Sequence, residues 1–206
     1  MKKLLLHALT AIVLLAGCKK TNENKTEHYT ISTPNAAIEW KGYLLNGHFN
    51  HGTFSVNSTD LKVKDGIVTC GTFSIPISSL NVLNLTGEPK GQLEGHLKSE
   101  DFFNILLHPT ATFKITSIEP YSNSHQDDVV SEANYVLKGD FTLLGITKSI
   151  SFPSRIVFTN GTMQAEALFT INRADYGMTY ASDPALGEHY ILPTVDIHLK
   201  IAASKQ

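Results

Sequence analysis

The stretch "NGTMQAEALFTINR", residues 160–173, indicates the fold class of this chain. It opens with an Asn-Gly pair, which favours a two-residue turn with positive φ between antiparallel strands. Apolar and polar residues then alternate, with Ala165, Ala167, Phe169 and Ile171 on one face. A period of two is typical of a half-buried β-strand. The two alanines leave room on that face, or they accept a neighbouring side chain.

The same alternation recurs along the rest of the chain. Asn46-Gly47 and Asp65-Gly66 separate such stretches and predict further hairpins. We therefore expect an all-β protein of about eight long antiparallel strands, in a sheet that forms a sandwich or closes into a barrel. An eight-stranded barrel is filled by its own side chains or holds one small ligand. The alternating apolar residues are Ile38, Trp40 and Leu44; Phe54 and Val56; Ile67, Phe73, Ile75 and Ile77; Phe113 and Ile115; Tyr135, Leu137, Phe141 and Leu143; and Val195, Ile197, Leu199 and Ile201.

The amino terminus, "MKKLLLHALTAIVLLAGC", has the order of an export signal: two lysines, an apolar run from Leu4 to Leu15, and small residues before Cys18. The apolar run is too short for a permanent membrane span. Its ending, residues 15–18, resembles the lipobox of bacterial lipoproteins, which implies cleavage before Cys18 and acylation of that cysteine. About two acyl chains give stable membrane attachment. The alternative is an ordinary secretory signal that leaves Cys18 as a thiol.

These features predict three segments: a signal peptide of lipoprotein type at 1–17, a lipidated cysteine with a polar, flexible tether at 18–28, and one folded domain at 29–204. We expect the protein in the cell envelope, lipid-anchored to a bacterial membrane and facing the periplasm or the cell surface. Once Cys18 is acylated, Cys70 is the only thiol, so no disulfide is available within the chain.

The net charge and the motifs of the sequence argue against several classes of function. The formal charge is -2, and the chain after the expected cleavage has no basic cluster beyond Lys19-Lys20, so a nucleic-acid partner is not expected. The sequence contains no nucleophile elbow, zinc-protease helix, phosphate-binding glycine loop or dinucleotide fingerprint. We therefore expect a protein that is not an enzyme and carries no cofactor. At the end of the strand 162–173, Arg173 is expected to pair with Asp175, or alternatively to meet a ligand head group.

The segment "GHLKSEDFFNILLHP", residues 95–109, concentrates charged and aromatic residues. Ser99 suits a helix N-cap, acidic residues follow in the first turn, and Pro109 stops helix growth. This pattern predicts a short helix at 99–107. Its apolar side chains would form a face or plug, and they are Phe102, Phe103, Leu106 and Leu107.

Histidines give the best argument for a metal. His48 and His51 could meet His96 or His189 in space. A spacing of three puts two strand residues on opposite faces, however, so histidines that form hydrogen bonds near a barrel rim are the preferred interpretation, and no metal site is expected.

Several separated motifs carry a family resemblance: "IEWKGYLLNGHFNHGTF", "GHLKSEDFFN" with "HPTATFKIT", "YVLKGDFTLLGITKSISFP" and "INRADYGMTY". In this order, over roughly residues 29–203, the chain resembles the YceI family of polyisoprenoid-binding bacterial proteins. The resemblance implies a lipocalin-like antiparallel β-barrel with a short helical excursion. It also implies an elongated apolar cavity for a long prenyl chain or a similar amphiphile.

The function expected is that of a membrane-tethered protein that holds a polyisoprenoid, quinone-like or other long-chain amphiphile in the barrel interior. Each buried methylene contributes about 0.8 kcal/mol, so a dozen carbons would supply about 10 kcal/mol before ordering costs. The alternatives are a metal-dependent enzyme that uses rim histidines and a structural lipoprotein with a solid core. Candidate ligand-binding residues are Trp40, Phe54, Phe73, Phe102, Phe113, Leu137, Phe141, Phe169, Ile171, Val195 and Ile197.

Overall fold

The computed structural model describes residues 25–32, 36–122 and 130–206. Within these ranges the chain forms thirteen strands and one α-helix, α1 (Gly87–Lys98). Short 3-10 helices lie at Ile77–Ser79, Arg173–Tyr176 and Pro184–His189. The strands are β1 (Glu27–Ile31), β2 (Ala37–Leu44), β3 (Phe49–Phe54), β4 (Asn57–Ser58), β5 (Lys62–Lys64), β6 (Ile67–Cys70), β7 (Thr72–Pro76), β8 (Asn81–Val82), β9 (Thr110–Pro120), β10 (Tyr135–Leu143), β11 (Ile146–Thr159), β12 (Thr162–Asn172) and β13 (Ile191–Lys205).

All of these strands belong to one curled antiparallel sheet. Its order is β8-β3-β2-β13-β12-β11-β10-β9-β7-β4, and the last residues of β13 also pair with β1, which continues to β5 and β6. The all-β, lipocalin-like architecture predicted from the sequence is confirmed. The strands outnumber the expected eight because short pairs occur at the ends of the sheet and Gly71 separates β6 from β7.

Tight turns join the consecutive strands where Asx-Gly pairs predicted them. Asp65 and Gly66 have φ of 54° and 76°, and Asn160 and Gly161 have φ of 50° and 77°. These are the left-handed conformations that a two-residue hairpin turn requires. Leu144 and Gly145 adopt the same geometry, with φ of 51° and 75°. The sequence did not signal this third turn, because leucine rarely adopts positive φ.

The molecule has two distinct ends. The helix end comprises α1 with residues 99–109, the turns at 45–48 and 144–145, and the segment 173–190. The terminal end comprises β1, the β5–β6 hairpin and the last residues of β13. Glu27, the first residue of β1, therefore lies at the opposite end of the sheet from α1. Among the described residues, no helix combines the length and apolar character needed to cross a membrane.

The helix predicted at 99–107 is wrong in position, because the α-helix ends where that helix was expected to begin. The Ser99 hydroxyl donates to the His96 carbonyl at 2.8 Å, so this serine closes α1 at its C-terminus. Residues 100–107 form turns. Of the four apolar residues expected on the helix, Phe102 and Phe103 pack inward, whereas Leu106 and Leu107 are 92% and 72% exposed.

Candidate ligand cavity

The inner face of the sheet surrounds an apolar interior that contains two cavities. Cavity 1, nearer the terminal end, has a volume of about 100 Å³ and is lined only by apolar residues of the described chain. At the terminal end, the wall of cavity 1 includes Val56, Leu61, Met163 and Ile201. They belong to the buried core, which extends across the sheet interior.

Cavity 2, nearer the helix end, has a volume of about 170 Å³. Leu93 and Leu97, four residues apart on α1, contribute to its wall, as do Phe102 and Phe103 from the following turns. This spacing places both leucines on one face of α1. Five residues line both cavities, so the two spaces adjoin; they are Ile38, Ile75, Phe141, Ile171 and Ile197.

The structure brings all eleven candidate ligand-binding residues onto the walls of these two cavities. Phe73, Phe113, Leu137 and Phe169 line cavity 1. Trp40, Phe54, Phe102 and Val195 line cavity 2. Phe141, Ile171 and Ile197 line both. Their contact with a ligand stays a prediction, as does acylation of Cys18, which lies with the expected signal peptide outside the described residues.

Sequence reasoning missed the contribution of β11 to the interior. Ile150, Phe152 and Ile156 of this strand line cavity 1. The ring of Phe152 stacks on Phe169 with centroids 4.1 Å apart and an interplanar angle of 5°. The alternation of these residues was a usable signal, although Pro153 interrupts the appearance of a strand, since proline is uncommon inside sheets.

Arg173 is the most deeply buried charged residue of the described chain, at 3% exposure, and it lines cavity 2. Its guanidinium donates to the backbone carbonyls of Met178 at 2.8 Å, Ile191 at 2.8 Å and Leu192 at 3.2 Å. Burial lowers the pKa of Arg173, and the nearby Tyr190 acts weakly in the opposite direction. An arginine guanidinium nevertheless stays charged at neutral pH.

The ion pair expected between Arg173 and Asp175 does not form, because Asp175 is exposed while the guanidinium turns inward to carbonyl groups. No carboxylate of the described residues lies within 4.0 Å of Arg173. The interaction with three carbonyls joins the turn after β12 to the start of β13. Arg173 thus stabilises this junction through its hydrogen bonds and also lines cavity 2.

Two other polar side chains line cavity 2. The indole N–H of Trp40 is buried and has no hydrogen-bond partner among the described residues. Asn50 accepts through its side-chain oxygen from the Asn84 amide at 3.1 Å. The polar side chains that line cavity 2 are therefore those of Trp40, Asn50 and Arg173.

The histidines considered as metal ligands do not assemble into a cluster. His96 lies 2.9 Å from a carboxylate oxygen of Asp101, and its ring packs edge-on against Phe102 and Tyr180. The His51 backbone bonds to the Asn84 side chain. Within residues 25–32, 36–122 and 130–206, no group of three His, Cys, Asp or Glu side chains is arranged to hold a metal ion.

A polar cluster away from the cavities involves Asp60, Cys70 and Thr72. The Asp60 carboxylate accepts from the Thr72 backbone N–H at 2.6 Å, from the Cys70 thiol at 3.3 Å and from the Thr72 hydroxyl at 3.2 Å. Burial by itself would raise the pKa of Asp60, but these hydrogen bonds outweigh burial and lower it. The same hydrogen bond to Asp60, together with burial, raises the pKa of Cys70.

Two solved structures of other proteins have a similar fold. BcnA from Burkholderia cenocepacia superimposes with a TM-score of 0.64 at 14% identity, covering 84% of this chain and 99% of the other. A polyisoprenoid binding domain from Saccharophagus degradans gives a TM-score of 0.64 at 11% identity, covering 87% and 99%. At such identities the likeness concerns the fold alone.

Sequence relatives point the same way. A UPF0312 protein of Pectobacterium atrosepticum is 28% identical over 200 residues, which are 90% of this chain and 91% of the relative. A UPF0312 protein of Shewanella putrefaciens is 28% identical over 159 residues, covering 76% and 74%. The family model of the YceI-like domain matches residues 29–203, nearly the whole folded part. The chain therefore belongs to the YceI-like domain family.

Proposed function

We propose that this protein holds a polyisoprenoid, quinone-like or other long-chain amphiphile inside its curled sheet, while tethered to a membrane. The observation that carries the proposal is the pair of adjoining cavities, one of them walled only by apolar side chains. Membership of the YceI-like domain family supports it, as does the fold shared with a domain described as polyisoprenoid binding.

The size of the cavities sets a condition on the ligand. A cavity of about 150 Å³ accommodates a benzene ring, and the two spaces here measure about 100 and 170 Å³. A long chain therefore requires lining side chains to move. Met163 and the stacked pair Phe152 and Phe169 line cavity 1, and they are side chains that would have to move. Each methylene taken from water contributes about 0.8 kcal/mol toward that rearrangement.

Tethering rests on the sequence before the folded domain. The Leu15-Ala16-Gly17-Cys18 ending provides a cysteine for acylation, and Lys19 to Thr26 link it to β1. Two acyl chains at Cys18 would hold the protein on a membrane surface of the bacterial envelope. Mass spectrometry of the protein purified from its membrane fraction tests this part separately, and an unmodified Cys18 would contradict it.

Ligand binding is tested by organic extraction of the purified protein and mass spectrometry of the extract. We expect an amphiphile in near-stoichiometric amount from the wild type. Ala165→Phe, which adds a ring to the wall of cavity 1, should lose most of this lipid. Gln164→Phe introduces the same ring at the adjacent, exposed position and should keep it.

The thermal midpoints of both variants show whether each is folded. A wild type without extractable amphiphile, and without uptake of added prenyl lipid, would contradict the proposed function. Equal lipid content in folded Ala165→Phe and Gln164→Phe would place the lipid somewhere other than cavity 1.

A further inference from the structure

The polar groups that face the interior are confined to cavity 2. Cavity 1 is lined by apolar side chains only, whereas the wall of cavity 2 includes Trp40, Asn50 and Arg173. No Asp or Glu of the described chain lines either cavity. The interior therefore has an apolar half toward the terminal end and a half with hydrogen-bond donors and one positive charge toward the helix end.

The charge of Arg173 is not neutralised within the described part of the chain. A guanidinium has five N–H donors, and three of the Arg173 donors bond to carbonyl groups of Met178, Ile191 and Leu192. Two donors remain without a partner among the described residues. Carbonyl dipoles satisfy hydrogen bonds but leave the net charge, and a buried charge without a counter-ion is strongly unfavourable.

Trp40, which lines the same cavity, carries a second donor without a partner among the described residues. The Trp40 indole N–H is buried and unbonded among the described residues. Buried N–H groups in native proteins nearly always find an acceptor. Trp40 and Arg173 thus each have an N–H group without an oxygen acceptor in the described part of the chain. Arg173 also lacks an anionic partner there.

We propose that the bound amphiphile places its chain in cavity 1 and an anionic head, a phosphate or a carboxylate, beside Arg173 in cavity 2. This inference rests on the proposed function and adds to it the class and the orientation of the ligand. An anionic oxygen compensates the buried guanidinium and accepts its remaining N–H donors. A neutral head would leave the charge without a counter-ion.

The test compares ligands that share one prenyl chain and differ in the head: geranylgeranyl phosphate, geranylgeranoic acid and geranylgeraniol. Trp40 is the only tryptophan of the chain and lines cavity 2, so its fluorescence reports binding there. In the wild type, at least one of the two anions should bind about tenfold tighter than the alcohol, because hydrogen bonds to charged groups are the stronger class.

The outcomes separate the two proposals. If the alcohol binds as tightly as both anions, the anionic head is wrong and the proposed function stands. If none of the three ligands binds, the anionic head is not supported and the inference is overturned, while the extraction experiment decides the proposed function. A preference for only one anion supports the inference and identifies the head as phosphate or carboxylate.

Variants locate the head. Arg173→Met should reduce the affinity for the preferred anion by about tenfold and leave that for the alcohol nearly unchanged. Because Arg173 also holds three carbonyls, a second variant, Asn50→Asp, leaves those bonds intact and adds a negative charge to the wall of cavity 2. It should weaken the binding of the anion selectively.

Asn57→Asp is the control for Asn50→Asp, since it makes the same change at an exposed position of β4. Thermal unfolding shows which variants are folded. Unchanged anion affinity in Asn50→Asp and in folded Arg173→Met would overturn the proposal. If Arg173→Met does not fold, the anion affinity of Asn50→Asp alone decides whether the proposal holds.

Discussion

Gly139 is a position where the sheet has no room for a side chain. It lies at the irregularity between β9 and β10, next to Lys138. A Cβ atom there would lie 2.4 Å from the Phe113 ring and 2.6 Å from the Lys114 carbonyl oxygen. The ring of Phe113 thus packs directly on the Gly139 backbone, and this contact positions a side chain that lines cavity 1.

We expect Gly139→Ala to lower the free energy of unfolding by about 1–3 kcal/mol, as overpacking of a closely packed core does. Urea denaturation measures the change. Gly91→Ala is the matched control, because Gly91 is an exposed residue of α1 with open space around its Cβ position. It should be neutral or stabilising by up to about 1 kcal/mol. A Gly139→Ala protein as stable as the wild type would contradict the packing described for Phe113.

Asp60 predicts a dependence of stability on pH. Its folded-state pKa is lowered, so its contribution is fully present above the ordinary pKa of an aspartate and is lost as the pH falls through the lowered value. At neutral pH, Asp60→Asn should cost about 1–2 kcal/mol, because hydrogen bonds to a charged group weaken. The difference in unfolding free energy between wild type and variant should shrink on acidification. A difference independent of pH would show that the charge of Asp60 does not contribute.

At the scale of elements, the strands were more predictable than the helix. In β12 and β13 a period of two coincides with burial of one face, and Asn-Gly and Asp-Gly pairs set the turns. Helix α1, in contrast, has three glycines among its twelve residues, and none of the twelve is buried. Its position depends on contacts distant in sequence, such as the Val82 N–H that donates to Glu94 at 2.8 Å. A local capping pattern at Ser99 could not reveal this.

Helix α1 should open more readily than the sheet. Segments with few buried contacts unfold locally at a lower free energy than the core, and no residue of α1 is buried. In hydrogen exchange, its amides should exchange at least about tenfold faster than those of β12 and β13. Equal protection of α1 and these strands would contradict this. A bound amphiphile should slow exchange in α1, because Leu93 and Leu97 line cavity 2.

At the scale of the whole molecule, the sequence predicted which residues surround the interior but not how full that interior is. The period of two assigns Phe141, Ile171 and Ile197 to the inner face in either case. Cavity volume depends on how rings pack across the sheet, as in the stacking of Phe152 on Phe169, and on backbone curvature. The sequence places Arg173 at a strand end, but its burial depends on carbonyl groups of β13 that come close only in the folded chain.

The carboxyl-terminal residues hold two parts of the sheet together. Ala203 and Ser204 pair with both β1 and β12, and Lys205 forms an ion pair with Glu27. Removal of residues 203–206 should detach β1 and lower the thermal midpoint by several degrees, at about 2–4 °C per kcal/mol for a domain of this size. Removal of residues 1–26 deletes none of the strands β1 to β13 and should leave the midpoint unchanged. Equal midpoints for both truncations would contradict this account of the terminal end.

Because Glu27 lies at the end of the sheet opposite α1, the proposed acylation of Cys18 would set how the molecule is oriented on a membrane. Strand β13 has 15 residues and spans about 50 Å, while the chain from Cys18 to Glu27 extends at most about 30 Å. An acylated Cys18 would therefore fix the molecule by the end remote from Arg173. The bilayer carrying the anchor would face β1, and α1 would face the aqueous compartment.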